Sequence, residues 1–180
     1  MKMKRFKTKK GAVVTIRKAK VSDAKAILEY TNTISKESDF LTFGEGEFNK
    51  TVEEEELFIE NVSKRNNALF IIAEIEGKIV GTLNFSGGAR PRTMHTGEFG
   101  VSVLKEYWGN GIGTELIKYL IEWCKNSNVI RKINLRVRRD NYSAIHVYKK
   151  LGFIEEGVIT RDFRINDIFY DSIFMGLQID

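Results

Sequence analysis

The sequence predicts an α/β (α+β) chain: one mixed, largely antiparallel seven-stranded sheet flanked by about four helices. Three observations lead there. Segments with strand period alternate with segments of helical period in the order β–α–α–β–β–β–α–β–α–β–β. Glu76-Gly77 and Asn166-Asp167 are hairpin signals, so the strands they join are antiparallel neighbours. A glycine-rich turn at 109–114 converts a strand directly into a helix. With 180 residues the chain fits one domain with a sizeable core, and 42% hydrophobic residues is an ordinary globular proportion.

The elements follow in order. Residues 1–11 are basic without an apolar run, so they read as a flexible tail and not a signal peptide, ahead of a single domain over 12–180. β-Branched alternation over 12–17 predicts the first strand. Ser22 is placed to cap a helix with Ala24, Ile27, Leu28, Thr31 and Ile34 on one face. After a loop over 40–49 bearing glycine and acids, Thr51-Val52-Glu53-Glu54 is a capping box opening a second helix through Lys64. Strands over 68–75 and 78–85 flank Glu76-Gly77, and a loop holding the only proline leads to a strand over 95–104. A third helix over 114–125 buries Leu116, Ile117, Leu120, Ile121 and Cys124. A strand over 133–137, a helix over 141–151 and strands over 153–163 and 168–178 complete the chain.

Composition excludes several classes. The apolar stretches at 68–73 and 116–124 are too short or too interrupted to span a membrane. One cysteine, Cys124, rules out an internal disulfide, and a cytoplasmic protein is the simplest expectation. His95 and His146 have no metal-ligand spacing, so no metal is expected. The net charge of +5 comes largely from the N-terminal tail and from Arg131, Lys132, Arg136, Arg138 and Arg139. Aromatic residues do not interleave with these as a nucleic-acid platform requires, so the second cluster reads as facing an anionic cofactor.

The chemistry is concentrated between residues 98 and 153. Gly109, Gly111 and Gly113 alternate in Trp108-Gly109-Asn110-Gly111-Ile112-Gly113-Thr114, where a strand gives way to a helix. Such a loop turns several N–H groups onto one anion, and the helix start adds unpaired amides and a positive dipole end. It suits phosphate, although a tight turn with no ligand would use the same glycines. No lysine follows Gly113 as a Walker loop needs, and no acidic residue ends the next strand as a dinucleotide site needs. About thirty residues on, Asn141-x-x-Ala144-x-x-x-Tyr148-x-x-x-Gly152-Phe153 reads as a short helix ended by glycine.

The two motifs together, in this order and spacing, resemble the GCN5-related N-acetyltransferase family over residues 12–178. Trp108 stands where that family usually has arginine or glutamine, as in its branch of ribosomal-protein-alanine, polyamine and antibiotic acetyltransferases. The resemblance implies acetyl-CoA as the acyl donor. Its pyrophosphate would lie on the amides of Gly109, Asn110, Gly111, Ile112, Gly113 and Thr114. Its pantetheine arm would pair like an extra strand with Val101, Ser102 and Val103, and the Val103 N–H would meet the thioester carbonyl. Asn141 would touch the coenzyme, or serve only as an N-cap. Tyr148 would protonate the leaving thiolate, and Glu98, on the strand face shared with Gly100 and Ser102, would take the proton of the incoming ammonium.

The acceptor would be a small-molecule or peptide amine, bound by the first two helices, their connection and the last hairpin. Glu45 and Glu47 could draw in a cationic amine, whereas Glu53 to Glu56 read as a water-facing complement to a helix N-terminus. A homodimer is among the assemblies such a chain could form. The competing reading is a non-catalytic acyl-CoA-binding module, which would need neither Tyr148 nor Glu98. A nucleic-acid adaptor is disfavoured by the missing aromatics.

Overall fold

The structure, a computed structural model, describes residues 3–180. Eight strands form one sheet in the order β1-β2-β3-β4-β5-β6-β8-β7. They are β1 (Lys4–Lys7), β2 (Val13–Lys18), β3 (Ala68–Ile75), β4 (Lys78–Gly87), β5 (Thr96–Val103), β6 (Lys132–Arg138), β7 (Ile154–Ile165) and β8 (Ile168–Gln178). Every neighbouring pair is antiparallel except β5 and β6. Helices α1 (Ala24–Glu37) and α2 (Val52–Ser63) cover one face, and α3 (Ile112–Asn126) and α4 (Tyr142–Lys150) the other. Central strand β3 is buried on both faces, which is why its sequence is continuously apolar.

The eighth strand corrects the reading of residues 1–11 as a flexible tail. Lys4 to Lys7 pair with Ile16 to Val13, and Gly11, at φ +87°, closes the hairpin. Only Phe6 in this stretch is apolar, so no buried-face pattern marked it; an edge strand needs little burial and tolerates charge. Met1 and Lys2 lie outside the described residues.

Local signals account for most other boundaries. Glu76 and Gly77 both have positive φ, as do Asn166 and Asp167, which gives the turn twist that two-residue hairpins prefer. Thr51 accepts from the Glu54 N–H at 3.2 Å while the Glu54 carboxylate accepts from the Thr51 N–H at 2.9 Å, the reciprocal box expected there. Ser22, however, does not cap α1. A short 3₁₀ turn precedes the helix, and Asp23 takes the N-cap position of α1 without a side-chain cap bond; its carboxylate instead closes the 3₁₀ turn, accepting from the Lys20 N–H at 2.7 Å and from both terminal nitrogens of Arg17.

The feature that creates the site is a gap in the sheet. Strands β5 and β6 pair only through Thr96↔Lys132, Gly97↔Ile133 and Glu98↔Asn134. Beyond Glu98, β5 stays with β4 as far as Gly81↔Val103, and β6 stays with β8 as far as Arg138↔Ser172. The two strands therefore part, and backbone groups facing the gap are left to bond something other than the sheet.

Candidate active site

A cavity of about 1150 Å³ runs through this gap and is lined from both faces of the sheet. On the α3 side its wall is the glycine loop. Gly109 and Gly111 have φ of +74° and +79°, a left-handed geometry that lets the chain curl into the helix. Gly111 is the N-cap of α3, and its carbonyl accepts from the Glu115 N–H at 3.0 Å. The amides of Ile112, Gly113 and Thr114 belong to the first turn and have no partner within the helix. All three residues line the cavity, as do Gly109 and Gly111.

Asn110 does not line it. Its side-chain amide donates to the Tyr107 and Trp108 carbonyls at 3.0 and 3.3 Å and so braces the loop from behind. Trp108, in place of a long polar side chain, folds back and donates its indole N–H to the Val103 carbonyl at 2.7 Å. The turn is thereby tied to the end of β5, and one lone pair of the Val103 carbonyl is already used.

Val101, Ser102 and Val103 line the gap, as do Asn141 and Tyr148. Asn141 caps α4, accepting from the Ala144 N–H at 3.2 Å, and also lines the cavity. The Tyr148 ring packs on Phe99 and Phe153, each with centroids 6.0 Å away. Burial pushes its phenol up to about 12, which keeps the hydroxyl protonated across neutral and mildly alkaline pH.

Glu98 faces the same cavity from the α1 side of the sheet. Arg136 of β6 donates from Nε to Glu98 Oε1 at 2.8 Å, and its NH1 lies 3.6 Å from Asp162. The register shift in β7 between Ile159 and Phe163 carries Asp162 to this position. Glu98 is thus held by a guanidinium through Oε1.

Two site residues have roles the sequence reading did not give them: Tyr30 escaped it, and Arg138, read there as facing an anionic cofactor, is bound to its own chain. Tyr30 of α1 lines the cavity and bonds Ser102 Oγ at 2.9 Å, and burial moves its phenol up to about 12. It follows Ile27 by three residues, so the helical stripe itself could have disclosed it. Arg138 is 7% exposed. It chelates Asp140 at 2.9 and 2.6 Å, donates to the Asp39 carbonyl at 2.9 Å and is sandwiched by Phe40 and Tyr170. This joins the α1–α2 connection to β6 and β8.

The acidic residues of that connection do not behave as expected. Glu45 pairs with Lys36 on the surface, and Glu47 accepts from the Gly44 N–H at 2.7 Å; neither lines the cavity. Glu55, expected to face water, is buried at 2% exposure and does line it. Val52, Glu55, Ile59 and Val62 recur at helical spacing, so Glu55 sits on the apolar stripe of α2.

Parted strands, a loop of free amides and a buried phenol suit a transferase working on a long, phosphate-bearing acyl donor. Comparison with known proteins gives the class its name. The model of the acetyltransferase (GNAT) family matches residues 34–153, and the chain belongs to that family. It is 33% identical to the L-amino acid N-acetyltransferase AaaT of Escherichia coli over 117 residues, 65% of this chain and 72% of that protein. An N-alpha-acetyltransferase of Sulfurisphaera tokodaii is 30% identical over 159 residues, covering 84% and 86% of the two chains. The solved structure of a GNAT-family acetyltransferase from Streptococcus pneumoniae superposes with a TM-score of 0.90 at 33% identity, covering 93% of this chain and 99% of that one. This protein is accordingly an acetyltransferase enzyme. Among the described residues no helix is long and apolar enough to cross a membrane, and no cluster of three metal-ligating side chains occurs.

Proposed function

We propose that this enzyme transfers the acetyl group of acetyl-CoA directly to a primary amine. The observation that carries the reading is the gap between β5 and β6. It opens one cavity to Glu98 on one face of the sheet and to Tyr148 on the other. The pyrophosphate rests on the amides of Ile112, Gly113 and Thr114, and the pantetheine arm lies along Val101 to Val103, where backbone groups lack a strand partner. The amine nitrogen attacks the thioester carbonyl carbon, and the Val103 N–H donates to the oxygen as it becomes negative. As the C–S bond breaks, Tyr148 donates its hydroxyl hydrogen to the departing sulfur, and the second proton, shed by the nitrogen as the amide forms, restores the phenol through solvent. The proton lost by the ammonium passes to Glu98, directly or through water, and then to bulk. The balance is an amide, a free thiol and one proton.

Release of free thiol, followed with polyamines, aminoglycosides, amino acids and N-terminal peptides, tests the reading. Acetyl-CoA binding without thiol release from any of them would overturn the primary-amine reading. The base has its own test. An alkylammonium with pKa near 10.4 is neutral in only about one molecule in two thousand at pH 7. Glu98→Gln is expected to slow turnover most near neutrality and to recover as pH approaches the pKa of the amine. A pH profile parallel to the wild type would assign that proton to water alone.

A further inference from the structure

The acceptor end of the cavity contains a cation site that the chain fills with its own side chain. Lys50 Nζ is 3.1 Å from Glu55 Oε2, 4.2 Å from the centroid of Phe58 and 5.2 Å from that of Phe48. The Glu55 side chain is 2% exposed and that of Lys50 34%, so the carboxylate is the buried wall and the ammonium its occupant. A carboxylate flanked by aromatic faces is an environment that selects alkylammonium.

The position of this cage relative to the gap follows from strand register. Phe58 packs edge-on against Phe70 at 5.8 Å, Phe70 is opposite Asn84, and Asn84 is opposite Gly100. Phe70, against which the cage's Phe58 packs, therefore lies two strand spacings, about 10 Å, from Gly100. The intervening floor carries no charge: Gly100 leaves open space where a Cβ would stand, and Asn84 presents an amide whose buried Oδ1 has no hydrogen-bond partner. All of these residues line the one cavity.

We infer that Lys50 is a specificity-determining residue that plugs this cage and turns away amines bearing a second ammonium at the far end of an extended chain. The inference rests on the amine-acetylating function proposed above. An extended diamine lying along the Phe70–Asn84–Gly100 floor would bring its distal charge to a place already holding one. Amines with a neutral tail meet no such repulsion. Removing the Lys50 charge leaves Glu55 buried and unpaired, and a substrate ammonium becomes its natural partner.

The test compares 1,8-diaminooctane with octylamine, which differ by the second ammonium. In Lys50→Met the ratio of kcat/KM for diamine over monoamine is expected to rise at least tenfold over wild type, mainly through KM. Adding Glu55→Gln to that variant is expected to cancel the rise. Because Lys50→Met also exposes the fold to an unpaired buried carboxylate, thermal unfolding provides a second arm. The diamine is expected to raise the melting temperature of the variant more than octylamine does, with no such difference in wild type. A ratio unchanged in an active variant, or equal stabilisation by both amines in an inactive one, overturns the inference. Should wild type acetylate no amine at all, the function fails while the thermal arm still judges the cage.

Discussion

Gly111→Val is expected to weaken acetyl-CoA binding by about 100-fold or more in a protein that still folds, as measured by calorimetry. The reason is conformational. A Cβ at Gly111 would meet nothing within 4 Å, so no neighbour is displaced, but φ of +79° is a region that a β-branched residue avoids. Valine would pull the N-cap out of its left-handed geometry and re-aim the first-turn amides of α3. Hydrogen bonds to a charged group contribute about 1.5–3 kcal/mol each, so losing two is enough for the stated effect. Gly113→Ala is the control. Its added Cβ would lie at an ordinary 3.8 Å from Val103 Cγ2, and Gly113 does not need positive φ, so a much smaller loss is expected. Unchanged affinity in a folded Gly111→Val protein would remove the loop from the phosphate site.

Tyr148→Phe is expected to lower turnover on the order of 100-fold with little change in coenzyme affinity, the usual effect of deleting a positioned acid. The phenol is pushed up to about 12 by burial, so the donating form persists through pH 10, where an ordinary tyrosine would be half ionised. The sign of the pH dependence follows. Activity on an alkylamine should climb from pH 7 to pH 10 as the amine loses its proton, and the tyrosine should add no falling limb in that range. The high value also means that complete transfer to a thiolate, whose conjugate acid has a pKa near 8.5 in a simple thiol, is uphill on its own and is drawn forward by reprotonation of the phenol. Tyr148 therefore acts first as a hydrogen-bond donor to developing charge. A falling limb near pH 10 that disappears in the phenylalanine variant would show a solvated phenol instead.

The acceptor side illustrates where reading from sequence stops. Glu45 and Glu47 lie in the connection between the first two helices, but a charge in a loop carries no information about which way the loop turns. Here one faces Lys36 and the other its own loop amide. Membership in the acidic run Glu53 to Glu56 points Glu55 to water. Its burial is a matter of phase on α2, where three-residue spacing from Val52 places it inward whatever its neighbours are. The Lys50 cage adds Phe48 from the loop and Phe58 from the helix, and Phe70 supports it from a separate strand.

What the sequence alone determined is whatever depends on residues within a turn or two of one another. The alternation of strand and helix periods, the Thr51 box, the Glu76-Gly77 and Asn166-Asp167 turns, the glycine loop and the Asn141 cap are of this kind. Their energetics are local: a dihedral preference or a hydrogen bond closed within a few positions. The tertiary structure alone decided that Lys4–Lys7 adds an edge strand and that β5 and β6 part after Glu98↔Asn134. It also decided that Arg136, 38 residues from Glu98, holds that carboxylate, and that Glu55 is covered. Those outcomes depend on the register between distant strands and on what one element buries against another, and no short-range pattern encodes either.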